Sequence, residues 1–298
     1  MGRMSITFEQ PLTELVRHRS SWRAYEPRSI MPGTLQALES RVAALRRGPF
    51  GHAVRVGVCR ARDSDTRSLG AFGTYGVIRG ARHYLVGAVK RGERDLEDFG
   101  YVFELAVLIA TDLGLGTCWL GGTFDRSAFG ELIKLDESER LPAVSPVGYA
   151  TTHRSWRDHV IRLGAGSHKR HPWERMFFNG AFGTPLNLAS AGPLAECLEM
   201  VRLGPSASNQ QPWRVIRDRD GSAFHFYQEH TAAYRATGRV GMNTLDLQRL
   251  SMGIALCHFE QTARALDLKG AWETWDPAPS VGKIPEHTVY LASWNLPK

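Results

Sequence analysis

Apolar residues recur at helical spacing in two places near the start of the chain. One is residues 11–17; the other is 34–45, where Leu35, Leu38, Val42 and Leu45 share a face. Gly48 and Pro49 end that pattern. Alternation around Val54, Val56 and Val58, and again around Tyr84, Val86 and Ala88, predicts strands over 52–60 and 82–89. A long helix is predicted over 95–113, stopped by Gly114 and Gly116, with short strands at 117–120 and 143–149 and a small helix at 127–135.

Residues 179–193, bearing Gly and Pro, read as a linker. Beyond it the pattern predicts a helix over 194–203, strands over 213–217 and 223–228, a long helix over 245–268 and a closing strand at 287–294. The order helix, strand, strand, long helix, strand thus occurs twice, which points to an internal duplication with halves 1–180 and 181–298. Both halves pass from a helix through Gly-Pro into a strand, at Gly48-Pro49 and at Gly204-Pro205. The second of these loops is three residues longer and carries the polar side chains, so only one copy is built to hold something.

With 298 residues, 43% hydrophobic and 22% charged, the chain has the composition of a globular protein of one large domain or two small ones. No run of 18 apolar residues exists, and residues 1–10 lack a signal-peptide core, so a cytoplasmic chain with no membrane partner is expected. Four cysteines without a CxxC pair read as reduced core thiols. The net charge of +7 is uneven: residues 1–180 carry 26 Lys and Arg against 19 Asp and Glu, and residues 181–298 carry 11 against 11. That suits a pocket for one phosphate-bearing ligand as well as it suits nucleic acid, and without aromatic residues along a basic stripe no nucleic-acid partner is expected.

Two basic clusters stand out. Arg17, Arg19 and Arg23 flank the hydroxyls of Ser20 and Ser21, and His168-Lys169-Arg170-His171 precedes Pro172-Trp173. Either could be solvated surface charge; guanidinium forks with a nearby hydroxyl also suit phosphate oxygens. The loop 205–213 carries Ser206, Ser208, Asn209, Gln210 and Gln211, and could be a helix-capping turn or a set of uncharged groups for a heteroaromatic ring. The chain has no Walker loop, no His-Glu-x-x-His and no Gly-x-Ser-x-Gly, and its histidines lack metal-ligand spacing. No metal site and no catalytic side chain is assigned.

Arg19-Ser-Ser-Trp-Arg-Ala-Tyr25 and Pro205-Ser-Ala-Ser-Asn-Gln-Gln-Pro-Trp213 resemble the two signature segments of the FMN-dependent nitroreductase superfamily. About 190 positions separate them here, which resembles the tandem branch of that superfamily, in which one chain folds as a pseudo-dimer. Residues 73–80, 114–122 and 169–173 are similar to that branch as well. The resemblance implies an α+β fold with two repeats of a central, mostly antiparallel sheet flanked by helices, in a monomer that acts as an intramolecular pseudo-dimer around one flavin.

Carried over by position, the resemblance makes Arg19, Ser21 and Arg23 ligands of the FMN phosphate, joined by Lys169 and Arg170. Pro205, Ser206 and Ala207 would pack on the flavin ring, with Asn209 and Gln211 fixing the loop. Leu120 and Gly121 would present backbone near the flavin N5 edge, and Gly73, Thr74 and Tyr75 would line the pyrimidine side. Ala207 stands where the family often has a second Ser. The implied activity is NAD(P)H-driven, ping-pong reduction of a small electron-poor acceptor such as a nitroaromatic or quinone, with FMN as cofactor. The alternatives are a flavin-binding protein without turnover, for storage or sensing, and a basic nucleic-acid binder.

Overall fold

The computed structural model describes residues 6–60, 78–122, 124–151, 169–231, 246–274 and 281–297. The chain divides into two compact units: Met1–Gly48, His52–Asp95 and Val102–Ile161 form one, and Pro49–Gly51, Leu96–Tyr101 and Arg162–Lys298 form the other. The sequence reading drew its boundary after residue 180. Residues 169–180, with Lys169 and Arg170, group with the second unit.

In the first unit, α1 (Leu12–His18) and α2 (Pro32–Ala43) precede an antiparallel sheet. Strand β1 (Val54–Arg60) pairs with β2 (His83–Lys90) from Val54 opposite Val89 to Arg60 opposite His83. β2 continues to β5 (Val144–Gly148) and then β3 (Gly116–Thr117), while β4 (Glu139–Arg140) also lies beside β2. All of β2 but Lys90 is buried, so both of its faces are covered, as its nearly unbroken apolar sequence requires. Tyr84 and Val86 share a core with Cys118, Leu120, Phe124 and Val144. Helix α4 (Arg126–Leu132), capped by Asp125, adds Phe129 edge-on to Tyr84 with ring centres 5.3 Å apart.

Helix α3 (Asp95–Asp112) is buried on nearly every side, which fits its apolar sequence. Acids hold its ends: Asp95 pairs with Arg140 at 2.9 Å, and Asp112 pairs with Arg41 at 2.9 Å while accepting the backbone N–H groups of Glu9 and Gln10.

The second unit has a five-stranded sheet in the order β6 (Phe177–Asn179), β7 (Trp213–Arg217), β8 (Ala223–Glu229), β10 (Thr288–Asn295), β9 (Ala271–Glu273). Among the described residues, only β6 and β7 run parallel in it. Its helices are α5 (Trp173–Met176), α6 (Leu188–Ala191), α7 (Ala195–Leu203) and α8 (Leu247–Ala265). Helices α7 and α8 are tied by His258, whose Nδ1 lies 2.9 Å from the Met200 carbonyl oxygen. An aromatic cluster fills the sheet face, with Phe226 to Phe259 at 5.1 Å and Trp272 to Trp294 at 5.0 Å.

Gly100 and Gly253 let chain segments of this unit approach closely. A methyl group on Gly253 would sit 2.1 Å from the Glu97 carbonyl oxygen, and one on Gly100 would sit 2.2 Å from that of Leu250.

The expected linker is packed structure. Phe177 and Leu186 are buried, Leu186 N–H bonds the Phe177 carbonyl at 3.0 Å, and Asn179 N–H bonds the Thr184 carbonyl at 2.8 Å. Gly180 (φ 72°) and Gly183 (φ 84°) make this turn possible. The Gly and Pro signals therefore mark a hairpin-like return and the start of α6, not an open connection.

The two long helices end alike. After α3, the N–H groups of Leu113, Gly114 and Leu115 bond the carbonyls of Ile109, Thr111 and Ala110; after α8, those of Leu266, Asp267 and Leu268 bond the carbonyls of Thr262, Arg264 and Ala263. Gly114 (φ 73°) and Asp267 (φ 55°) hold the matching left-handed position. Four residues beyond Leu115 and Leu268 stand Trp119 and Trp272, each donating its indole N–H to a buried glutamate of the preceding helix.

The four cysteines are free; Cys118, Cys197 and Cys257 are buried, and burial pushes the Cys197 thiol up to about 12. No helix among the described residues is long and apolar enough to cross a membrane.

Candidate functional site

Helix α1 ends at Arg19, whose N–H bonds the Leu15 carbonyl at 2.8 Å before the chain turns extended. From there backbone pairing directs the segment. Ser21 bridges to Thr117 in parallel, Trp22 N–H bonds the Thr117 carbonyl at 2.8 Å, and the Arg23 carbonyl accepts Arg79 N–H at 2.8 Å. In an extended chain, alternate residues share a side, so Arg19, Ser21 and Arg23 fall together and Trp22 opposite. Trp22 packs on the core of the first unit. A methyl group on Gly116 would lie 3.0 Å from its ring, which makes glycine the fitting residue there.

The Arg19 side chain is only 7% exposed, and its Nε makes no hydrogen bond. Its only ion pair among the described residues is with Glu104, at a loose 3.9 Å. A buried guanidinium nitrogen with no acceptor is the condition that a phosphate oxygen relieves. The Arg19 site therefore fits an anionic group.

Trp119 and Leu120 follow β3. Trp119 donates to Glu104 Oε2 at 2.7 Å and packs edge-on to Phe103 with ring centres 4.8 Å apart. Leu120 spends both backbone groups on Val144, at 2.9 and 3.0 Å. Its amide is thus committed to the sheet, and of the pair expected at the flavin edge only Gly121 keeps an N–H for which the described residues supply no acceptor. The Gly121 carbonyl accepts from Arg126, whose guanidinium sits 4.7 Å from the Phe124 ring centre and whose pKa is lowered by burial. Gly73, Thr74 and Tyr75 lie outside the described residues.

In the second unit, α7 ends at Gly204 and the chain enters the loop 205–211. Ser206 is extended, Ala207–Asn209 makes a single 3-10 turn, and Ser208 (φ 49°), Asn209 (φ 53°) and Gln211 (φ 48°) are left-handed. Three such residues without glycine cost about 1–3 kcal/mol each and persist only where surrounding bonds hold them. Here the bonds are dense. Ser206 Oγ accepts Gln211 N–H at 2.9 Å, and Ser251 Oγ accepts Ala207 N–H at 3.1 Å while donating to the Leu247 carbonyl.

The remaining anchors come from residues 169–171. Asn209 Nδ2 donates to the Lys169 carbonyl at 2.9 Å, and Asn209 Oδ1 accepts from Arg170 at 3.1 Å. Gln211 Oε1 accepts His171 N–H at 2.9 Å, and its Nε2 reaches the Lys169 and Asn209 carbonyls. Arg170 also donates to the Leu203 carbonyl at the end of α7, at 3.1 Å. The structure thus brings Lys169, Arg170, Ser206, Ala207, Asn209 and Gln211 together. Arg170 thus bonds both the loop, at Asn209, and the helix end before it, at Leu203, and of the basic pair Lys169 is the exposed one. His171 has its pKa lowered by burial, then by Arg175 and Arg214.

Glu104, Ser251 and Arg126 are absent from the sequence-based site. Glu104 did carry a signal, as the single acid inside the apolar run 102–109. Nothing marked Ser251, which is one polar residue on a long helix.

The family described as "Putative TM nitroreductase" matches residues 11–263. A Thermotoga maritima MSB8 crystal structure described as a "putative nitroreductase" is similar over 98% of this chain and 97% of its own, with a TM-score of 0.57 at 18% identity, which is a likeness of fold. A nitroreductase family protein from Clostridium novyi NT covers 48% of this chain and 87% of its own, at TM-score 0.40 and 20% identity. A nitroreductase with bound FMN from Desulfitobacterium hafniense DCB-2 covers 49% and 92%, at TM-score 0.41 and 18% identity. No curated protein matches the chain. With most of its length matched, and with its fold shared end to end by the Thermotoga protein, the chain belongs to the TM1586-type nitroreductase family.

Proposed function

We propose that the protein is an FMN-dependent oxidoreductase that takes electrons from NADH or NADPH and passes them to an electron-poor acceptor such as a nitroaromatic or a quinone. The observation that carries this reading is Arg19: a nearly buried guanidinium with an unbonded Nε, inside an Arg-x-Ser-x-Arg segment, in a chain of the nitroreductase family. FMN, when bound, supplies the two-electron hydride chemistry.

The chain's own residues bind and orient. Arg19, Ser21 and Arg23 hold the phosphate, with Lys169 adding positive charge and Arg170 acting through the loop it braces. Pro205, Ser206 and Ala207 offer the ring a surface whose shape Asn209 and Gln211 fix, so little ordering remains to be done on binding. Gly121 offers its N–H, and Gly73, Thr74 and Tyr75 complete the pyrimidine side. No general acid is assigned to the chain. A nicotinamide donor that left before the acceptor entered would give ping-pong kinetics. The same reading makes the chain a cytoplasmic monomer with one FMN.

Anaerobic mixing of the FMN-loaded protein with NADH and with NADPH tests the activity. Bleaching by one of them, reversed by a nitroaromatic or quinone, is the expected result. Persistent oxidised absorbance with both would refute the oxidoreductase and leave a flavin-binding protein for storage or sensing.

A further inference from the structure

We infer that Glu104 is the counter-ion that moderates the phosphate affinity of Arg19, an inference that rests on Arg19 being a ligand of the FMN phosphate. Glu104 stands in the middle of α3 with its side chain fully enclosed. Its two oxygens have different tasks. Oε2 accepts the Trp119 indole N–H at 2.7 Å, which fixes the carboxylate, and Oε1 lies 3.9 Å from Arg19 Nε.

That second distance decides between two roles. A carboxylate that orients an arginine binds it through hydrogen bonds, as Glu97 does with Arg249 at 2.7 and 2.6 Å. At 3.9 Å the hydrogen bond is lost. Coulomb attraction falls only as the inverse of distance and is little screened around buried groups, so it survives. Glu104 therefore balances the charge of Arg19 without using its donors. The donors stay available for a phosphate, but the phosphate meets a cation already partly neutralised and is itself repelled by Glu104. The carboxylate thus sets how strongly the chain prefers FMN over flavin without a phosphate. Trp119 keeps it in place in either state.

The test compares FMN with riboflavin, which lacks only the phosphate. Full-length protein is stripped of flavin and titrated with each by fluorescence quenching, and the ratio of the two dissociation constants is read. Glu104→Gln keeps an acceptor for Trp119 and removes the charge, so the preference for FMN should rise by about tenfold. Its flavin-free form should melt lower than wild type, because Arg19 is left buried without a counter-ion, so it is purified with FMN present. Glu104→Asp keeps the charge and should stay within about threefold of the wild-type ratio. An unchanged or lowered FMN preference in Glu104→Gln, or a tenfold rise in Glu104→Asp, would overturn the inference while the phosphate assignment stands. Equal affinity of the wild type for both flavins, or an unchanged ratio in Arg19→Ala, would overturn the assignment and this inference with it.

Discussion

Gln211 places its side-chain carbonyl 2.9 Å from the backbone N–H of His171, 40 positions earlier in the chain, and so ties residues 169–171 to the left-handed end of the 205–211 loop. Gln211 is 2% exposed and is itself left-handed. Its removal leaves the part-buried His171 N–H without this acceptor and the Asn209 carbonyl without the Gln211 amide, so more than one bond is lost.

Replacing Gln211 or Asn209 by Ala should therefore destabilise the protein by about 1–3 kcal/mol in urea titrations and weaken FMN binding by about tenfold or more. Ser208→Gly provides the contrast. Ser208 is exposed at φ 49°, a position glycine accepts freely, and that variant should remain within about 1 kcal/mol of wild type. If Ser208→Gly proves as damaging as Gln211→Ala, bonding to residues 169–171 is not what holds the loop.

The double variant Arg19→Ala and Arg23→Ala should lose FMN during purification yet still bind riboflavin when it is supplied. Arg19→Lys should restore binding only in part, since an ammonium cannot present the planar fork. Retention of FMN at wild-type affinity in the double variant would refute the phosphate assignment.

Strand β2 and the core of α3 were legible because each carries a long apolar signal. β6 and β9 were not: each has three residues, too few for a period to show. Gly180 and Gly183 suggested an open linker because turn residues dominate that stretch, while what anchors it, Phe177 and Leu186, is visible only once their pairing is known. The site shows the same limit. The loop-shaping role of Asn209 and Gln211 is implied by the resemblance that the 205–213 segment carries. The partnership of Glu104 with Arg19 and Trp119 could not be read from the sequence, since it joins residues far apart in the chain.

Gly253→Ala should cost about 3 kcal/mol or more, at the upper end of overpacking, because the new methyl would meet the backbone of Glu97 and Tyr101, which cannot rotate away as a flexible side chain can. Gly33, with nothing within 4 Å of the corresponding position and lying early in α2, should tolerate Ala without loss. Urea midpoints of the two variants decide it. Equal midpoints would contradict the close approach at Gly253.

The pH dependence has a definite sign. Burial lowers the pKa of His225, against the opposing pull of Asp218 and Asp220, and burial followed by Arg60 and Arg82 lowers that of His83. A lowered folded pKa means that the unfolded chain binds protons first, so these residues favour folding above the ordinary histidine value of 6.5 and lose that contribution as pH falls below it. The melting temperature should drop between about pH 7.5 and 5.5, and His225→Asn should flatten the drop. A melting temperature that rises on acidification would contradict the assignment.

The central claim is that this chain carries FMN, and the most direct measurement is the flavin and phosphorus content of the purified, full-length protein. The account predicts a yellow protein whose extracted cofactor is FMN, at one flavin and one flavin phosphate per chain. A colourless protein that takes up no FMN when saturated with it, or one that holds two per chain, would contradict it.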